Sequence, residues 1–135
     1  MNKYEKLFNE ILDATEEGKL KWRQLNKREK SEVILNSNLV FRQFSSQLIK
    51  GDSEYTVLLV EKKYVDPDDD FPLDYKYTLE LLVLEQGELI TCITESVIEK
   101  KDMMKLMNFV ETKSDRIDKL FSQARASQLL ENLHR

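Results

Sequence analysis

Four runs rich in β-branched and aromatic residues follow one another, and they restrict the fold more than any other feature. They are LVFRQFSSQLI (39–49), YTVLLVEKKYV (55–65), YKYTLELLVLE (75–85) and ELITCITE (88–95). Residues of these types suit a pleated, half-buried surface. Gly51-Asp52-Ser53 separates the first two runs and Gln86-Gly87 the last two, as hairpin turns would. The expected unit is an antiparallel meander. Phe41 and Phe44 would fall on opposite faces of a regular strand, and a bulge near Arg42 would reconcile them.

The flanks change period. Tyr4, Leu7, Phe8, Ile11, Leu12 and Thr15 recur at three- and four-residue spacing, which predicts an amphipathic helix over 3–16 with Gly18 as its stop. KLKWRQL (19–25) then alternates, with Leu20, Trp22 and Gln24 on one side and Lys19, Lys21 and Arg23 on the other. That is the pattern of an edge strand whose lysines discourage further pairing. Asn26 and Glu29 have capping-box spacing before a turn at 27–32, while residues 32–35 fit a strand equally well. From Asp102, a candidate N-cap, helical period returns through Met103, Leu106, Met107, Val110, Ile117, Leu120, Phe121 and Ala124. Residues 112–115 could divide this helix, and 123–135 reads as a helical extension carrying Leu129, Leu130 and Leu133. The fold class expected is α+β over a single domain, 1–135. It has four to five antiparallel strands covered on one face by an N-terminal helix and one or two C-terminal helices.

Composition removes several function classes. A single cysteine, Cys92, allows no intrachain disulfide and fits a reducing cytoplasm. No apolar run is long enough for a signal peptide or a membrane span. The three glycines, at 18, 51 and 87, cannot build a P-loop or a dinucleotide fingerprint. The only histidine is His134, so a histidine triad or histidine-ligated metal is not expected. No catalytic residue and no cofactor are assigned. Carboxylate pairs such as Glu80 and Glu95 are not distinguishable from surface charge. The net charge of −4 is uneven: residues 1–50 carry +3, 51–100 carry −9 and 101–135 carry +2. Such polarity steers partners and argues against a duplex DNA-binding domain.

Three constellations remain. Asp66, Asp68, Asp69, Asp70 and Asp74 crowd the stretch DPDDDFPLDY with both prolines of the chain. Asp66, Asp68 and Asp70 match positions 1, 3 and 5 of an EF-hand loop. Phe71 then stands where glycine is needed and Tyr77 where the bidentate glutamate is needed. No metal is assigned: the stretch reads first as a solvated turn, then as a docking loop, and last as a divalent-cation site outside the EF-hand pattern, since clustered carboxylates suit hard cations. Lys19, Lys21, Arg23 and Arg42, with Trp22 or Tyr77 as the aromatic, could hold a nucleotide phosphate, although Trp22 also sits at a core position. Leu129, Leu130 and Leu133 extend an apolar stripe beyond what a small sheet needs, and a second copy is the simplest cover.

The phrase Thr15-Glu16-Glu17-Gly18-Lys19-Leu20-Lys21-Trp22, a β-rich middle and the closing Ile117-Asp118-Lys119-Leu120-Phe121 resemble a class of small bacterial and mobile-element proteins. The resemblance implies a prokaryotic or phage origin and a part in conflict between mobile elements and hosts; it brings no activity or catalytic residue. The expected function is a non-enzymatic module that binds another protein and self-associates, with 66–74 and the leucine tail as contact surfaces. A nucleotide-signal binder is the alternative, and a carboxylate–metal enzyme ranks third.

Overall fold

A computed structural model of the 135-residue chain describes residues 2–26, 34, 39–65 and 75–112. The first helix, α1 (Lys3–Glu16), opens on Asn2, whose side chain accepts from the Glu5 amide at 2.9 Å. It closes where Gly18 adopts φ +78°: the Gly18 amide donates to the Thr15 carbonyl and the Lys19 amide to the Ala14 carbonyl. This pair of bonds satisfies carbonyls that the helix end would leave bare.

Five strands follow: β1 (Arg23–Leu25), β2 (Val40–Lys50), β3 (Ser53–Val65), β4 (Tyr75–Glu85) and β5 (Glu88–Thr94). They form one sheet in the order β1-β2-β3-β4-β5 with every neighbouring pair antiparallel. The β4–β5 hairpin turns on Gln86 and Gly87, both at positive φ, a conformation whose twist matches that of the strands. The second helix, α2 (Lys100–Thr112), completes the α+β layout.

The main core lies between the helices and one face of the sheet. Phe44, Leu59, Leu81 and Ile93 form a continuous cross-strand row there, all fully buried. Phe8, Ile11, Leu12 and Thr15 of α1 and Met103, Leu106, Met107 and Val110 of α2 cover it. The methionines at helical spacing are core residues, except Met104, which is exposed. Trp22, fully buried, donates its indole N–H to Thr15 Oγ1 at 3.1 Å, and Thr15 donates to the Ile11 carbonyl at 2.7 Å.

Two expectations need adjustment, on the sheet's cover and on the start of α2. The sheet is not one-sided: Leu58, Val60, Leu82 and Leu84 face away from the helices and are buried too, in a second cluster with Ile34, Leu25 and Val40. Strands covered on both faces lose their alternation, which is why 57–60 and 81–84 are continuous apolar runs. Asp102 does not cap α2. The helix begins at Lys100, and Asp102 lies in its first turn, where a carboxylate still meets the positive end of the helix dipole. The bulge does fall at Phe41, between Val40 and Arg42. It puts Phe41 on the helix side with Phe44, where Phe41 stays 45% exposed. The two sheet edges also differ. β1 is three residues long and follows Lys19 and Lys21, whereas β5 is seven residues long with its only charge at Glu88. The capping turn at 27–32, the acidic stretch 66–74 and the extension 123–135 lie outside the described residues.

Candidate functional site

Where β3 ends and β4 begins, residues on the helix side of the sheet are exposed. Alternation places Lys63, Val65, Tyr75 and Tyr77 on the helix side here, and the bulge adds Phe41. The Phe41 and Tyr77 rings meet edge to face, with centroids 5.6 Å apart and planes at 65°. Lys63 Nζ lies 4.0 Å from the Tyr75 centroid and 5.6 Å from that of Phe41. A cation held over two ring faces aligns the aromatics without burying them. Tyr75 remains 56% exposed, Val65 43% and Tyr77 38%.

Arg42 anchors this patch to the body of the protein. Its Nε donates to Glu61 Oε1 at 2.7 Å and its Nη1 to Glu111 Oε1 at 2.6 Å, which ties β2 to β3 and to the end of α2. Burial is the largest single influence on the guanidinium and acts to lower its pKa. The hydrogen bonds and charges of Glu111 and Glu61 together outweigh it, so the pKa is raised. Arg42 is therefore a committed structural cation. Lys100, at the start of α2, donates to the Tyr77 carbonyl at 3.0 Å and fixes the same end of β4.

The basic residues singled out in the sequence are not brought together. Trp22 is sealed in the core, and Arg42 is engaged by two carboxylates. Arg23 pairs across from Ser45 and so lies on the opposite face from Arg42, which shares its side with Phe44. Lys19 is exposed and paired with Glu17 at 2.8 Å; that hydrogen bond, and then the charge of Glu17, raise its pKa. Lys21 is exposed. Asp66, Asp68, Asp69 and Asp70, and Leu129, Leu130 and Leu133, lie outside the described residues. By chain connection the aspartates join Val65 to Tyr75, at the aromatic end of the sheet.

The opposite face carries a polar pair. Lys62 Nζ sits 3.0 Å from one Glu80 oxygen and 3.1 Å from the other, and the Lys62 side chain is 6% exposed. Glu95 accepts instead from the Leu79 amide at 3.2 Å, so Glu80 and Glu95 work as separate structural groups. The Cys92 thiol is pushed up by burial and then by the Glu80 carboxylate, with Lys62 acting the other way. A thiol shifted upward is a poor nucleophile at neutral pH. Among the described residues no three His, Cys, Asp or Glu side chains are grouped to hold a metal ion, and no helix is long and apolar enough to cross a membrane.

Phe41, Lys63 and Tyr75 do not stand out as a group in the amino-acid sequence. The signal was the pairing of two alternating tyrosines at the start of β4 with a lysine two residues before the end of β3. It becomes visible only once the register is known. The chain matches no known protein family, no curated protein and no solved structure.

Proposed function

We propose that this protein is a non-enzymatic interaction module that binds another protein through the exposed end of the β3–β4 hairpin. The observation that carries the reading is the exposed patch of Phe41, Val65, Tyr75 and Tyr77 joined directly to a segment with five aspartates. Exposed aromatics on rigid strands are favoured anchors of protein interfaces. Neighbouring carboxylates select a basic partner and speed its approach. A basic segment presenting arginine or lysine to tyrosine faces matches both features. The likeness to small bacterial and mobile-element proteins supports placing that partner in host–element conflict, and self-association belongs to the same reading.

The test is affinity capture from the native host with wild type and Phe41→Ala/Tyr75→Ala as baits, and mass analysis of retained proteins and nucleotides. A protein retained by wild type and lost from the variant, whose circular dichroism is unchanged, is the expected result. Identical protein profiles from both baits would remove the hairpin end as the contact. The nucleotide alternative draws on one observation, the Tyr75 and Tyr77 faces beside Lys63. It gains only if a nucleotide follows the wild-type bait alone.

A further inference from the structure

We infer that two copies of the protein join through their β5 strands, paired antiparallel about Cys92, into one ten-stranded sheet. This rests on the self-association in the proposed function and names the contact for it. Among the described residues β5 is the last strand of the sheet, so its outer row of backbone donors and acceptors faces away from β4. Leu89 is 43% exposed and Ile90 57%, and Cys92 is exposed as well. Edge strands normally carry lysine, proline or inward charge to block pairing. Residues 89–94, LITCIT, contain none of these.

A second copy fits this edge for reasons of register and charge. In an antiparallel pair related by a two-fold axis, one residue must face itself. A register shift at Val83/Leu84 makes Ile90 an extra residue and leaves residues 91–94 in regular pairing with β4. Centring the two-fold on Cys92 uses that regular run. It sets Thr91 against Ile93 and Ile90 against Thr94 of the second copy, and keeps the Glu88 and Glu95 carboxylates away from each other. Centring on Thr91 would move the bulged Ile90 from the margin of the contact to a place next to the axis, against Cys92, and centring on Ile93 would bring Glu95 against Thr91. The regular edge is short, so the expected species is a concentration-dependent dimer rather than an obligate one.

Because Cys92 faces its own copy, charge at that position should act on itself. Like charges directly opposite destabilise a strand pair, and unlike charges support it. Sedimentation equilibrium across low to high micromolar concentration would be run on wild type, Cys92→Lys, Cys92→Glu and an equimolar mixture of the two variants. Circular dichroism would verify that each is folded. The expected result is a wild-type mass rising from 16.0 kDa toward twice that value. Each variant alone should stay monomeric, and the mixture should regain the dimer. A monomeric wild type overturns the inference but leaves the hairpin reading to its own capture test. A dimer that survives Cys92→Lys but is lost on truncation after Ala126 assigns self-association to the tail instead. Variants that are monomeric both alone and mixed overturn the Cys92-centred pairing. If Cys92→Lys does not fold, Ile90→Lys, at an exposed site beside the same axis, takes its place and should also give monomer.

Discussion

Thr15 holds together more of the molecule than its size suggests. Its hydroxyl oxygen accepts from the Trp22 indole and its proton goes to the Ile11 carbonyl, so one buried hydroxyl links α1 to the start of the sheet. Thr15→Val keeps the shape and leaves the indole N–H without an acceptor in a site with no solvent. The expected loss is about 1–3 kcal/mol, read from urea unfolding. Adding Trp22→Phe should cost less than the sum of the two single changes, because the second removes the donor that the first strands. An additive double mutant would mean that the bond contributes little. The burial of Trp22 was legible from the alternation of 20–24, and that of Thr15 from the helical stripe. Their partnership was not, because seven residues of separation across a helix stop carry no periodic signal.

At the level of elements, α1, the two tight hairpins and all five strands follow from local patterns of period and turn chemistry. The Gly18 stop is the most directly testable of these. A Cβ at Gly18 would meet nothing within 4 Å, so any cost of Gly18→Ala is conformational and not steric. Holding alanine at φ +78° should lower stability by about 1 kcal/mol with little change in the slope of the denaturation curve. A neutral substitution would show that the helix end rearranges. What local pattern could not show was the cover on the second sheet face. Continuous apolar runs in β3 and β4 signal two buried faces, but they look the same whether the cover is helix, loop or another chain. Nor could it foresee that Arg42, basic in composition, is already taken by Glu61 and Glu111, since the three are brought together from β2, β3 and α2.

At the scale of the whole molecule, the exposed rings of Phe41, Tyr75 and Tyr77 lie at the end of the sheet where β3 and β4 are joined in sequence by the aspartate segment. The aspartates of 66–74 and Tyr77 are legible in the sequence, but the grouping of Tyr77 with Phe41 and Tyr75 is not, because Phe41 joins the tyrosines only through the bulge. If those aspartates serve a basic partner and not a cation, saturating calcium or magnesium should leave the melting temperature unchanged. A ligand that binds the folded state alone must raise it. A saturable rise abolished by Asp68→Asn/Asp70→Asn would make the segment a metal site. The unlike edges of the sheet set a limit of another kind. Two β5 strands that meet use up each other's open side, and the joined sheet then ends in β1 at both margins, with Lys19 and Lys21 beside it. In the language of polymer chemistry each copy is a monofunctional monomer. Its condensation stops at the first step, so raising the concentration should yield more pairs and no fibre.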